Sequence, residues 1–474
     1  MSFKPARRLR PIPACIISAA ALLALAAPGS ASASLGTQCS GSNITGQGAS
    51  VESIAFNNVW DPEFNLSTAK FACEGKQGDK LKPEVKYTNS GSGAGLASWG
   101  AEKTGTPSFA ATNAFIGTTE PPNETQIQNI ESYESVEPHI NPTVETIPDA
   151  QFALAIIVRL PAGCTATSKG AAGRLVLNDS TLEGIFDGSI TTWGQIKDDG
   201  DALTPATSCD ADTVQPVARF DQAGTTHVLK RFFYLQNQGS FQAEGVSSGE
   251  ETSDWNTLSE GKYNVKWPVA AKVIRPGAKG DAEESAKVAE APLSTEGRIG
   301  YVNLAETRSL KLFSGTGNGP TTAKFWAEIE NSSKTTGSGK TLKTTYTYED
   351  PASNKDVEAA AKANCAKTEY VNGVSGEAGE FPPASVYLPW NEVTGKLTSK
   401  TYPLCGFTYV LALNQYSDYP GTNINEATTA DNFLRFVTET AGGQKLISTE
   451  RDYLALPTGK VLTEAQAGTK EIEF

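Results

Sequence analysis

Histidine, methionine and basic charge are all scarce in this chain of 474 residues. It has two histidines, His139 and His227, one methionine, and no Cys-x-x-Cys pair. A structural zinc site has almost nothing to be built from, and neither a metal nor a cofactor is expected. A hydrolase of phosphate esters usually needs an activated nucleophile or paired metals, and the same shortage leaves few candidates. Lysine and arginine number 40 against 53 aspartates and glutamates, so the formal net charge is −13. That balance argues against nucleic acid and against anionic lipid as partners. It leaves room for a small anion, because local dipoles and one arginine outweigh distant charge that salt screens. Long apolar runs able to cross a membrane are also missing beyond the N-terminus.

What is present begins with a leader. Lys4, Arg7, Arg8 and Arg10 form a basic region, Ile16 to Ala27 an apolar stretch, and Ala31-Ser32-Ala33 a small-residue cleavage site. Residues 1–33 therefore read as a signal peptide, cleaved after about Ala33. Losing it removes four positive charges and no negative one, leaving −17 on a secreted, periplasmic or cell-envelope protein. Six cysteines follow: Cys39, Cys73, Cys164, Cys209, Cys365 and Cys405. An even number in an exported chain favours disulfides. The spacing leaves their connectivity open, and sequential pairing, which closes the shortest loops, is the expectation.

The first half alternates strand-like and helix-like runs. Val85 and Tyr87, then Phe109 to Gly117, then the continuous apolar run Phe152 to Val158, then Gln215 to Arg219 read as strands. Thr181 to Ile185 looks helical, and Val228, Leu229, Phe232 and Phe233 make a helical stripe. Gly315 to Gly339 and Asn364 to Ser385 read as loop-rich surface excursions. Phe407 to Leu413 is again a strand, and Phe433, Leu434 and Val437 mark a helix ended by Gly442-Gly443. Strand–turn–helix units predict an α/β fold with ligands at the carboxyl ends of the strands. Gly337-Ser338-Gly339-Lys340-Thr341 imitates the end of a phosphate loop, but its required first glycine is Lys334, so it carries no nucleotide site. His227 reads as a packing or surface histidine.

Three turns stand out: Gly46-Gln47-Gly48-Ala49-Ser50, Ser90-Gly91-Ser92-Gly93-Ala94-Gly95, and Asp221-Gln222-Ala223-Gly224-Thr225-Thr226. Each is rich in glycine and small residues and runs into a helix-like pattern. A helix start offers unpaired N–H groups, glycine lets backbone close on a ligand, and Ser or Thr adds a hydroxyl. Three such starts facing one point would make an oxyanion cage.

In order along the chain, these turns resemble those of the exported phosphate-binding proteins of phosphate ABC transporters. The collinear landmarks include Gly117-Thr118-Thr119-Glu120-Pro121-Pro122, Ile185 to Trp193, Arg219-Phe220-Asp221-Gln222-Ala223-Gly224-Thr225, Gly297 to Val302, Tyr402-Pro403 and Asp452 to Pro457. They extend over nearly the whole chain after the leader. The resemblance implies a two-lobed type II periplasmic-binding-protein architecture, α/β, with a hinge of two chain crossings near Ile147 to Leu154 and Leu404 to Phe407. One lobe would comprise residues 34–151 and 405–474, the other 152–404, with loop-rich insertions around 315–385. It implies a monomer that captures inorganic phosphate and hands it to the membrane permease of the transporter, without catalysis.

The resemblance also places the ligands. Arg219 would grip two phosphate oxygens with its planar fork, braced by Asp221. Ser50, Val51 and Ser92 would donate from one lobe, Gly224 and Thr225 from the other. Ala223 stands where the family has a serine and can offer only its N–H. Glu120 stands where the family has an aspartate; its carboxylate would accept the proton of monohydrogen phosphate and repel sulfate. These two departures keep a different oxyanion open as the ligand, and a secreted phosphate-ester hydrolase on the same fold as a further alternative.

Overall fold

The computed structural model describes residues 35, 39–73, 83–102, 113–132, 143–166, 174–198, 201–202, 204, 209–245, 253–276, 295–309, 324–352, 363–368, 370–372, 377–378, 390, 393–395, 401–418, 423–449 and 452–474. The leader and its cleavage site, His139, residues 109–112 and parts of the two loop-rich stretches lie outside them.

Strands followed directly by helices open the fold: β1 (Ile44–Gly48) by α1 (Ser50–Ala55), β2 (Val85–Asn89) by α2 (Ser92–Ser98), and β3 (Phe115–Thr118) by α3 (Glu124–Ser132). The helix begun by α1 runs on through Phe56–Trp60 and Asp61–Phe64. The chain then makes β4 (Val144–Arg159), α4 (Asp179–Asp187), β5 (Gln215–Pro216), α5 (Gly224–Gln236), β6 (Arg298–Asn303), β7 (Lys324–Trp326), β8 (Glu328–Thr336), β9 (Lys343–Glu349), β10 (Cys405–Leu413), α6 (Ile424–Thr438) and β11 (Tyr453–Leu454).

The main sheet has the order β2-β1-β3-β10-β4-β6-β5, and β7 and β11 also pair with β4. β1 is parallel to β2 and β3, whereas β10 is antiparallel to both β3 and β4. β4 serves two groups of strands. Its residues Val144–Ala153 ladder with β10, and its residues Leu154–Arg159 with β6. The β4 sequence explains how it does so: the apolar run from Phe152 to Val158 fits a strand covered on both faces, and those residues are buried. Pro148, which cannot donate to a ladder, sits where the register with β10 shifts between Thr408 and Tyr409, so the shift falls where a proline is tolerated.

Aromatic packing closes the first group. Phe56 stacks on Tyr87 at 4.6 Å between ring centroids and meets Phe115 at 5.3 Å and Phe433 of α6 at 6.0 Å. In α5 the stripe Val228, Leu229, Phe232 and Phe233 is buried as its spacing requires. The disulfides pair sequentially, Cys39–Cys73, Cys164–Cys209 and Cys365–Cys405.

Two expectations need correction. The stretch from Gly315 to Gly339 is not all surface loop: Phe325, Trp326 and Ile329 are buried, and β8 and β9 form a hairpin. The reason is that its Gly, Ser, Thr and Lys residues gather at the exposed hairpin end, masking a short apolar segment beside them. The Gly337–Thr341 segment is that hairpin's turn, with Gly337 and Gly339 at φ of +93° and +56°. The strand expected over Gln215 to Arg219 is shorter: only Gln215 and Pro216 join the ladder, and Val217 bridges to Ile274 instead.

Candidate functional site

Strand-to-helix turns from both groups meet at one small pocket. It is lined by Ala49, Ser50, Val51, Ser92, Thr119, Arg219, Ala223, Gly224 and Thr225, with about 160 Å³ of space between atoms, open solvent included. A wider surface cleft of about 740 Å³, including open solvent, is lined by residues such as Lys70, Phe71, Arg435, Glu439 and Lys470. None of the three turns reaches it.

Backbone geometry holds the turns together. The Gly48 carbonyl accepts from the N–H groups of Ser90 at 2.9 Å and Gly91 at 2.7 Å, tying the first turn to the second. Gly48 has φ +143°, and a Cβ there would lie 1.9 Å from the Gly117 oxygen, so no side chain is tolerated. The helices that start at the pocket begin after Ala49, Gly91 and Ala223, none of which makes a side-chain cap. Elsewhere Asn178, Asp254 and Asn423 cap helix starts with their side chains. A helix start leaves its first N–H groups without an intrahelical partner, so α1, α2 and α5 bring such donors to the pocket.

The side chains add direction. Ser92 Oγ accepts from the Thr119 N–H at 3.2 Å and lies 3.4 Å from Thr119 Oγ1. Arg219 is almost wholly buried, and two of its N–H groups donate to Asp221, Nε to Oδ1 at 2.6 Å and Nη2 to Oδ2 at 2.5 Å. Its backbone N–H donates to the Tyr301 hydroxyl at 3.3 Å, which is 2.6 Å from Thr226 Oγ1. The bidentate pair fixes the plane of the guanidinium beside the pocket.

Seven of the eight residues expected at the ligand line this pocket: Ser50, Val51, Ser92, Arg219, Ala223, Gly224 and Thr225. Ala223 does so differently from the expectation. Its N–H donates to Asn264 Oδ1 at 3.0 Å, and its carbonyl accepts from Asn264 Nδ2 at 3.2 Å, so its N–H is already engaged. Glu120 does not line the pocket. Its Oε1 accepts from the Gly261 N–H at 2.7 Å and from Gln222 Nε2 at 2.8 Å, so this oxygen is held by the second group of strands, while Oε2 is buried without a hydrogen-bond partner among the described residues. Burial pushes its pKa well above the usual carboxylate range, against the pull of those two hydrogen bonds. Thr119, one residue earlier, takes the place on the wall.

Thr119 and Asn264 are the residues that sequence reasoning missed. Thr119 carried a signal, a hydroxyl residue at the carboxyl end of a strand. Asn264 carried none, because it is 41 residues from the backbone it clamps. Lys230 explains how Asn264 is held. Its buried Nζ donates to the carbonyls of Leu258, Asn264 and Lys266 at 3.0, 2.6 and 2.6 Å, fixing the turn that carries Gly261 and Asn264. His227 is a packing residue, buried with Nδ1 3.0 Å from the Ser259 carbonyl.

A family model described as the PBP superfamily domain matches residues 33–440, most of the chain. The chain belongs to the PBP superfamily. A comparison with curated proteins finds no match. Among solved structures, this superfamily member is similar to a phosphate binding protein from Stenotrophomonas maltophilia, at 17% identity and a TM-score of 0.52, covering 90% of this chain and 93% of that one. It is also similar to a human phosphate binding apolipoprotein, at 16% identity and a TM-score of 0.51 with the same coverage. At such identities the likeness is one of fold: a mixed α/β protein with the type II periplasmic-binding-protein architecture. Among the described residues no helix is long and apolar enough to cross a membrane, and no group of three His, Cys, Asp or Glu side chains is placed to hold a metal.

Proposed function

We propose that this protein is an exported substrate-binding protein that captures inorganic phosphate between two lobes and delivers it to the permease of an ABC transporter. The observation that carries the proposal is the convergence of three helix starts without side-chain caps and the Asp221-braced Arg219 on one pocket. In this reading one lobe comprises residues 34–151 and 405–474 and the other 152–404. The first lobe supplies Ser50, Val51, Ser92 and Thr119; the second supplies Arg219, Gly224 and Thr225. Arg219 provides the single positive charge and the neutral N–H and O–H groups provide the remaining donors, which suits an anion stripped of water. Ala223 supplies a wall rather than a donor. The protein acts as a monomer and makes or breaks no covalent bond; closure of the lobes is the signal the permease reads.

Titration calorimetry of phosphate-stripped protein with phosphate, arsenate and sulfate tests this. Phosphate and arsenate bind, and Arg219→Ala abolishes binding while the protein still folds, as thermal unfolding shows. Tight binding that survives Arg219→Ala would refute the proposal.

A further inference from the structure

Outside the pocket, the second group of strands makes a separate contact with the first. The turn at Glu260 and Gly261 enters a polar socket made by Glu102, Glu120, Asn123 and Gln126. Gly261 N–H donates to Glu120 Oε1 at 2.7 Å, and Asn123 Nδ2 lies 3.4 Å from Glu260 Oε2. A Cβ on Gly261 would find Gln126 Nε2, Asn123 Nδ2 and Glu102 Oε1 at 3.7 to 3.8 Å, so the turn is seated among these groups without a gap. The socket is itself braced: Gln126 Nε2 donates to Glu102 Oε1 at 2.5 Å, and Gln126 Oε1 accepts from the Asn123 N–H at 3.0 Å. Beside it, Gln222 reaches the same Glu120 oxygen with its side chain while its carbonyl accepts from the Gly93 N–H at 3.3 Å.

Glu120 is the centre of this contact. It is 1% exposed, and one of its oxygens takes two donors from the other group of strands. Parting of the groups breaks both bonds to this oxygen, and they are worth about 1 kcal/mol each. We propose that Glu120 is a positioning residue that latches the two lobes shut on the 260–261 turn, and that it sets affinity for every anion the pocket accepts alike without reading the anion's proton. The inference rests on the pocket being the binding site.

The experiment has two arms. In the first, phosphate, arsenate and sulfate are titrated into phosphate-stripped wild type, Glu120→Ala and Glu120→Gln. Glu120→Ala weakens each anion that binds by the same factor, about tenfold to a hundredfold for two lost hydrogen bonds. Glu120→Gln, which still accepts from Gly261, loses less. If Glu120→Ala changes the phosphate-to-sulfate ratio by as much as it changes phosphate affinity, Glu120 reads the anion and the latch is wrong. In the second arm, spin labels at the exposed Lys86 and Tyr263 report the separation of the two groups of strands without added anion. Glu120→Ala lengthens and broadens that distance; an unchanged distance overturns the latch. Wild type that binds no anion would sink the functional proposal but leave this second arm decisive for the latch.

Discussion

Gly224 is the position where a single methyl group should separate closure from folding. A Cβ there would lie 1.7 Å from Thr119 Oγ1, 2.4 Å from the Thr119 carbonyl carbon and 2.5 Å from its Cβ. Rotating the Thr119 hydroxyl relieves only the first of these, because the other two atoms belong to the backbone or its first carbon. Carbon atoms rest about 3.5 Å apart or more. The start of α5 must then move away from the end of β3 by about an ångström, across the pocket itself. The bonds that span the gap nearby are Gly93 N–H to Gln222, and Gly261 N–H and Gln222 Nε2 to Glu120, at 3.3, 2.7 and 2.8 Å. An ångström added to them breaks them as hydrogen bonds, for a loss of about 3 kcal/mol at about 1 kcal/mol each. Gly224→Ala should therefore weaken phosphate binding by about a hundredfold. Folding should not suffer: Gly224 lies in the first turn of α5 without a positive φ, and alanine is the better helix former by about 1 kcal/mol. Calorimetric titration and thermal unfolding of the same preparation read both quantities. A variant that binds phosphate like the wild type would show that the bound form does not pack Gly224 against Thr119, and the reasoning would fail.

Other perturbations reach the supports of the site. Asn264→Ala strips the Ala223 N–H of its partner and leaves its carbonyl only the His227 N–H at 3.1 Å, and should lower stability by about 2 kcal/mol, measured by urea unfolding, with weaker phosphate binding in proportion; unchanged stability would mean that water replaces the amide. Replacing Cys365 and Cys405 by serine opens a loop of 40 residues, which by chain entropy should cost about 4 kcal/mol and remove itself as a difference from wild type under reducing conditions. Stability should fall as pH rises from about 4 to about 8, because buried acids bind their protons more tightly in the folded state. Burial raises Asp149 to about 7 and Asp61 and Glu145 to about 8, so the stability they confer is full below the unfolded carboxylate range and is lost as pH passes these values. Asp149→Asn should flatten that slope by at most about 4 kcal/mol at 1.36 kcal/mol per pKa unit; an unaltered slope in denaturation at several pH values would show that Asp149 titrates normally.

The order of glycine-rich turns, buried strand runs and helical stripes was legible in the sequence because each is local. Gly48 and Gly91 announce the turns, Phe152 to Val158 announces a doubly covered strand, and Val228 to Phe233 announces the face of α5. The pocket was legible as far as its local parts went, which is why Ser50, Ser92, Arg219 and Gly224 are found together. What resisted was whatever depends on direction. Thr119 and Glu120 follow the end of β3 in a bend, where no strand or helix period says which side chain faces the pocket, and only the fold decides. Ala223 looked like a donor because its partner Asn264 comes from a distant turn held by Lys230. The β8–β9 hairpin was hidden by composition: threonine, serine, glycine and lysine serve an exposed hairpin as well as a loop.

The same view of direction links the pocket to β4. Glu52 stands in the first turn of α1, beneath Ser50 and Val51, and it is fully buried. Its Oε1 accepts from the Tyr409 N–H at 3.0 Å and its Oε2 from the Tyr87 hydroxyl at 3.1 Å. Tyr409 is one of the two residues between which the β10–β4 register shifts, and Thr408, the other, donates to Asp149. Burial, and secondarily Asp149, pushes the Glu52 pKa up, so the pair resists carrying two charges. The helix that carries pocket residues is thus bonded to the ladder at its one irregular point on β10. A change of twist in β4, the strand common to both groups, must either break the Glu52–Tyr409 bond or carry α1 with it. That makes the position of Ser50 and Val51 a function of how the two groups are set, and under the proposed function an anion held by α1 and α5 together would have a mechanical grip on both.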